Sequence, residues 1–369
     1  MLKHWVTVAL GSAVLACSIV RSEEQPAAWQ PAAAGKYLDQ RENAWFDFDS
    51  RGERATRSTC VSCHSVLPYL LARPALRKIA GGSEPTEQEA KLLAQTRMRV
   101  ANWSKLDSDA FGLFYDSSDE KKQQSWGTEA VFNAAILSFN DGDQGRPSPS
   151  EIARRAFANL WATQERDGRH KGSWNWLDFN EPPWGCQEAR YFGAALAAIV
   201  VGTAPGYYTP GTDREVDASV GLLSGYLKDR FASQCLHDQT WALWASARLE
   251  GVLTRSQQDE AIEQLLGKQR DDGGWALPSL GPWQRNDGTP QAMVSDGYAT
   301  GLVLHVLQTM GVPKSDPKIA RGLAWLKSNQ TAGGAWRCAS VVKQRDPASH
   351  VGKFMSDAAT AFAVLALSH

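Results

Sequence analysis

The chain has no excess of charge of either sign: 39 lysines and arginines are matched by 40 aspartates and glutamates, giving a formal net charge of −1. That balance excludes the basic footprint of a nucleic-acid or anionic-membrane binder. The apolar run at the start, Trp5 to Ala16, is too short to span a bilayer. Cysteine and histidine are scarce, 6 and 7 in 369 residues, and neither occurs between Ser65 and Arg169. A zinc site built around the early thiols would need two further ligands at short spacing, and that stretch supplies none.

What is present is Cys60-Val61-Ser62-Cys63-His64. Two thiols three residues apart, followed directly by an imidazole, form the attachment pattern of a c-type haem. One helical turn brings both sulfurs to the vinyl-derived carbons of a porphyrin edge and places the next side chain under the iron. A redox disulfide between Cys60 and Cys63 is the competing reading, and it calls for a thioredoxin-like βαβ context that is missing here. The expected cofactor is haem c, held by Cys60, Cys63 and His64, with His64 as the proximal iron ligand. Met98 is the nearest sixth-ligand candidate in sequence, on a helix expected from Glu87 to Trp103. Met293, Met355, His170, His237, His305 and His350 remain open for that position. Tyr69 and Arg73 are candidates to face a haem propionate, against the plainer reading of helix surface.

The N-terminus reads as an export signal over residues 1–22, with a short basic region at Lys3 and His4 and an apolar core. Val14-Leu15-Ala16-Cys17 resembles a bacterial lipobox, which makes Cys17 a candidate lipid anchor and the membrane a partner through that anchor alone. Covalent haem attachment in bacteria takes place outside the cytoplasm, so both signals point to the periplasm or another extracytoplasmic compartment. A Glu-, Gln-, Pro- and Ala-rich linker follows over 23–35. The expected division is a haem-c-like helical segment over 36–110 and a second unit over 111–369. Cys186, Cys235 and Cys338 are an odd set, so at least one is a free thiol.

Beyond residue 90 the pattern is all-α, in repeated helical pairs. The second helix of each pair opens on an acidic residue, at Glu129, Glu188, Asp238, Asp296 and Asp357, and runs on as an Ala- and Leu-rich stretch that is apolar nearly all round. Such a helix is stable only when buried on every side. Its amphipathic partners, such as Ser256 to Lys268 and Pro317 to Ser328, suit an outer ring. About five such hairpins are expected to close into an α/α toroid. The connections repeat as well: Gln269 to Trp275 and Gln330 to Trp336 share the form Gln-x-x-x-Gly-x-Trp, and Gln164 to Gly168 begins a third copy.

These Gln-Trp repeats in a hairpin array resemble the squalene-hopene cyclase and prenyltransferase superfamily of α/α toroids. The resemblance covers about residues 90 to 369. It does not carry the chemistry with it. Triterpene cyclases protonate an alkene with an Asp-x-Asp-Asp motif, and no such motif occurs here, which argues against cyclase activity. The superfamily's protein prenyltransferases hold zinc through Asp, Cys and His; Asp296, Cys338 and His350 are the nearest ingredients, at the wrong spacing.

The acids at the inner-helix starts have a bland role, capping free N–H groups and complementing the helix dipole. Glu188, Asp238, Asp296 and Asp357 are also weak catalytic candidates, because they are expected to converge on one barrel mouth beside Trp174, Trp176, Trp184, Trp275, Trp283 and Trp336. Three functions follow as expectations. The first is electron transfer or redox chemistry by an exported c-type haem protein on a cyclase-like toroid, with a redox partner that the sequence does not name. The second is non-redox binding of an isoprenoid or other apolar ligand. The third is carbohydrate chemistry in an α/α barrel, with a sugar at the mouth.

Overall fold

The computed structural model describes residues 28–50, 61–106 and 118–369. The expected signal peptide, Cys17 and Cys60 lie outside the described residues. Regular structure is helical, apart from two isolated bridges pairing Gln164 with Trp174 and Glu181 with Gly185. The helices are α1 (Pro31–Ser50), α2 (Val66–Ile79), α3 (Glu87–Ala101), α4 (Asp119–Asp143), α5 (Glu151–Ala162) and α6 (Arg190–Thr203). The second half adds α7 (Arg214–Arg230), α8 (Leu236–Ser246), α9 (Arg255–Gly267), α10 (Gly297–Thr309), α11 (Pro317–Ser328) and α12 (Phe354–Leu367). Among the described residues no helix is long and apolar enough to cross a membrane.

The even-numbered helices form the inner ring. Each touches the next, from α2 through α4, α6, α8 and α10 to α12, and α12 returns to α2. The odd-numbered helices pack outside them. α6, α10 and α12 are buried along almost their whole length, which is where their all-round apolar sequences belong. The toroid therefore has six hairpins among the described residues, one more than the sequence repeats imply. The extra hairpin is α1–α2, drawn mostly from the haem-c-like segment expected over 36–110. The packing runs across the expected boundary at 110: α2 completes the inner ring between α12 and α4, and α3 packs on α4. The linker is also shorter than expected, since α1 begins at Pro31, where a proline's missing N–H belongs to the unsatisfied first turn in any case.

The Gln-Trp turns bind each hairpin to the next. Trp174, Trp275 and Trp336 are buried, and their indole N–H groups donate to the carbonyls of Leu160, Leu265 and Leu326 near the ends of α5, α9 and α11. The glutamine amides donate twice, once within their own turn and once to the next outer helix: Gln164 to Ser219 O and Gln269 to Lys318 O. Gln164, Gly172 and Trp174 thus complete the third copy, which an insertion hides in the sequence. In the last copy Gln330 donates to Gln30 O and accepts from Gln30 N, so α1 occupies the place of the next outer helix and the ring closes. Gly334 sits at φ +89°, and a Cβ there would overlap the Ala33 carbonyl.

Buried ion pairs fasten the N-terminal hairpins. Arg77 on α2 pairs with Glu89 and Asp143, Arg99 on α3 with Glu129, and Arg41 on α1 with Asp357.

Candidate functional site

A cavity of about 350 Å³ opens where the inner helices begin, within the roughly 300–1,000 Å³ usual for cofactor and small-molecule sites. Its walls include Trp45 and Phe48 from α1, Cys63 and His64 before α2, Phe132 from α4, Trp176 and Trp184 before α6, and Phe354 and Met355 at the head of α12. Its lining carboxylate, Glu181, is paired with Arg345 at 2.9 Å.

Local sequence sets the Cys63-His64 turn. Ser62 Oγ accepts from the backbone N–H of Ser65 and Val66 at 3.2 and 3.1 Å, satisfying donors at the start of α2. The two residues between are held on the cavity wall. His64 Nδ1 lies 2.9 Å from Ser65 Oγ, which in turn donates to Asp357 Oδ2 at 3.3 Å. Asp357 is held by the Arg41 guanidinium at 2.7 and 2.9 Å and by the Tyr37 hydroxyl at 2.8 Å. Phe354 stacks on the His64 ring, with centroids 3.9 Å apart, and Trp45 meets it edge-on at 5.1 Å. The imidazole is therefore fixed in plane and rotation, with Nδ1 engaged and Nε2 left for a ligand.

Burial, with the Arg41 charge behind it, pushes the His64 pKa down to about 3, so the ring is neutral and can bind metal. Burial pushes the Cys63 thiol up to about 12. Cys63 forms no disulfide among the described residues.

The structure separates the sixth-ligand candidates. Met98 is half-buried on α3 and does not line the cavity, whereas Met355 is buried and does. Met293 is exposed, His237 is hydrogen-bonded to Asp238 and Tyr298, and His305 pairs with His369. His170 lies outside the lining, and His350 lies behind it with Nδ1 against Arg41. Tyr69 and Arg73 both bind Asp39 and neither lines the cavity; Tyr69 is buried rather than on the helix surface.

Nor do the acids converge on the mouth as expected. Glu188 is exposed outside the cavity lining. Asp238 faces His237, Asp296 caps α10 through Ala299 N and also accepts from Leu277 N, and Asp357 anchors Arg41. Burial raises Asp296 to about 6. Of the six tryptophans expected at the mouth, Trp176 and Trp184 line the cavity; Trp174, Trp275 and Trp336 are the turn anchors.

Sequence reasoning missed Ser65, Arg41, Phe354, Glu181 and Arg345. They come from four separate segments, and only ring closure brings them together. A charged pair, Arg41-Glu42, inside an amphipathic helix was the one available signal.

A closed double ring of hairpins tied by Gln-Trp turns defines an α/α toroid. The family model of the squalene-hopene cyclase C-terminal domain matches residues 241–369, the last third of the chain. No curated protein sequence matches. Among solved structures, a mutant of an unsaturated glucuronyl hydrolase from Streptococcus agalactiae is similar at 12% identity and TM-score 0.50, covering 93% of this chain and 92% of that one. Another structure of that hydrolase gives 11% identity, TM-score 0.47 and coverages of 95% and 96%. A possible member of the GH105 family from Salmonella enterica serovar Paratyphi A gives 13%, 0.36, 92% and 82%. At such identities the likeness is one of fold.

Proposed function

We propose that the chain is an exported c-type haem protein whose toroid holds the porphyrin at the inner-helix mouth and serves electron transfer or redox chemistry on a ligand bound there. One observation carries this reading: the second thiol and the imidazole of the Cys-x-x-Cys-His pattern both face a single aromatic cavity, with His64 clamped and its Nε2 open. The donor set fits. Cys60 and Cys63 would each add S–H across a vinyl group, a step with no leaving group. His64 Nε2 would hold the iron, and the Met355 thioether is a second donor on the same cavity wall. Bound haem supplies one-electron chemistry. The protein orients His64 through Ser65 and Asp357, inside a mostly apolar wall.

The periplasm is the proposed compartment, from the N-terminal signal. The test is a reduced-minus-oxidised absorption spectrum of protein matured with haem-ligation machinery. A c-type spectrum that is lost in Cys63→Ala and altered in His64→Ala supports the proposal, and its absence in the parent protein refutes it.

A second reading is carbohydrate chemistry. It is supported by the fold shared with a glucuronyl hydrolase and by Trp176, Trp184 and Glu181 on the cavity. Hydrolysis by two carboxylates needs a second acid, and Glu181 is the acid on this wall. Turnover of a glycan panel that disappears in Glu181→Gln would favour it; no turnover by the parent protein would count against it.

A further inference from the structure

On the far side of the Trp184 wall, the head of α8 gathers three different donors. Cys235 is the N-cap residue, and its side chain makes no capping hydrogen bond. His237 and Asp238 follow within the first turn, and one donor atom from each of the three residues lies within 4.8 Å of the others. The spacing explains the convergence, because an N-cap side chain and the side chain three residues on meet over the helix end, as in a capping box. Here that pair is a thiol and a carboxylate.

The imidazole is fully buried and held from both sides. Nδ1 is 2.8 Å from Asp238 Oδ1, and Nε2 is 2.8 Å from the Tyr298 hydroxyl on α10. A metal-ligating histidine characteristically commits its second nitrogen to a hydrogen-bond partner that fixes its orientation, and Tyr298 is in place for that role. The backbone N–H of His237 is tied to Leu280 O at 2.8 Å, so the turn itself is braced. His237 and Asp238 are buried, while Cys235 is partly exposed and offers a route in.

We propose that Cys235, His237 and Asp238 form a binding site for a borderline-soft divalent metal of the Zn²⁺ class. One sulfur, one imidazole nitrogen and one carboxylate oxygen are a donor set that zinc accepts, and three protein ligands leave a fourth tetrahedral position open. His237 would bind through Nδ1 in place of its contact with Asp238, with Nε2–H donating to Tyr298. Metal entry displaces the thiol proton of Cys235, so uptake releases protons and weakens as pH falls. The site is independent of haem attachment, because it shares no residue with Cys60, Cys63 or His64.

Cobalt is the probe, since a thiolate bound to Co²⁺ gives a near-ultraviolet charge-transfer band. The titration is done on the full chain in a Cys60→Ser/Cys63→Ser background, which removes the paired thiols of the Cys-x-x-Cys-His pattern as competitors. A band saturating at one Co²⁺ per chain is expected, displaced by Zn²⁺. It should be lost in Cys235→Ser, weakened at least tenfold in Asp238→Asn and retained in Cys338→Ser, with helical circular dichroism confirming that each variant folds. No saturable band in the folded background protein, or a band that survives Cys235→Ser, overturns the proposal and leaves Asp238, His237 and Tyr298 as a structural hydrogen-bond chain.

Discussion

Asp357 reaches His64 through a single hydroxyl: Ser65 Oγ stands 2.9 Å from His64 Nδ1 and 3.3 Å from Asp357 Oδ2. An acid that begins the last inner helix is thereby linked to the imidazole of the Cys-x-x-Cys-His pattern. A hydrogen-bonded relay to a carboxylate makes a ligating imidazole more basic and stabilises the oxidised metal. Ser65→Ala cuts this link without disturbing the Arg41 pair. Loss of a hydrogen bond worth about 1 kcal/mol corresponds to on the order of 40 mV in a one-electron couple. The midpoint potential of the haem-loaded variant, measured by redox titration, is expected to rise by about that amount.

Arg41 and Asp357 are both buried and bonded at two positions. Removing the cation alone, as in Arg41→Met, leaves a carboxylate in the core without its counter-charge. A loss of about 3–5 kcal/mol is expected in urea unfolding, whereas Arg41→Met/Asp357→Leu should recover most of it. Equal losses in the single and double variants would contradict the assignment.

Gly334 closes the ring against α1. Its φ of +89° and the overlap that a Cβ would make with the Ala33 carbonyl oppose any side chain. The left-handed conformation alone costs an alanine about 1–2 kcal/mol, and the overlap adds to that. Gly334→Ala should therefore destabilise by more than about 2 kcal/mol and expose the Trp29 region to protease. Wild-type resistance to limited proteolysis in that variant would show that α1 is not held by this turn.

The Glu42 carboxyl is buried on α1; burial, with the Asp357 charge adding to it, raises it from 4.5 to about 8. The folded state then holds a proton that the unfolded state has released, so stability is fully present below pH 4.5 and falls as pH rises toward 8. His305, pushed from 6.5 to about 3 chiefly by burial, has the opposite slope, confined below pH 6.5. Between pH 6.5 and 8 the melting temperature is expected to fall, and Glu42→Gln should flatten that decline. An unchanged slope in the variant would contradict a protonated Glu42.

The toroid was legible from two local signals, the all-round apolar inner helices and the Gln-Trp turns, because each records packing within one hairpin or between neighbours. The sixth hairpin was not legible. α1 and α2 carry no Gln-Trp turn, and the Cys-x-x-Cys-His pattern between them was compatible with either a small haem-c-like unit or a cap on the barrel; the packing of α2 between α12 and α4 and the pairing of Gln330 with Gln30 reveal their place. At the site, Cys63 and His64 announce themselves through spacing. Met355 could not be ranked above Met98, because the contact depends on α12 lying beside α2. Asp238, Asp296 and Asp357 were legible as residues at the starts of inner helices, whereas Glu129, expected at such a start, lies in the middle of α4. Arg41, His237 and Arg99, from elsewhere in the chain or from the same turn, engage Asp357, Asp238 and Glu129, and none of these acids lines the cavity.

The most direct test is the mass of the peptide spanning Cys60 to His64 after maturation in a haem-attaching host, followed by denaturation and reduction. Covalent attachment predicts that the peptide retains one haem through both cysteines. A peptide that gains two free thiols on reduction and carries no porphyrin would mean that Cys60 and Cys63 had been joined to each other, and would contradict the haem assignment.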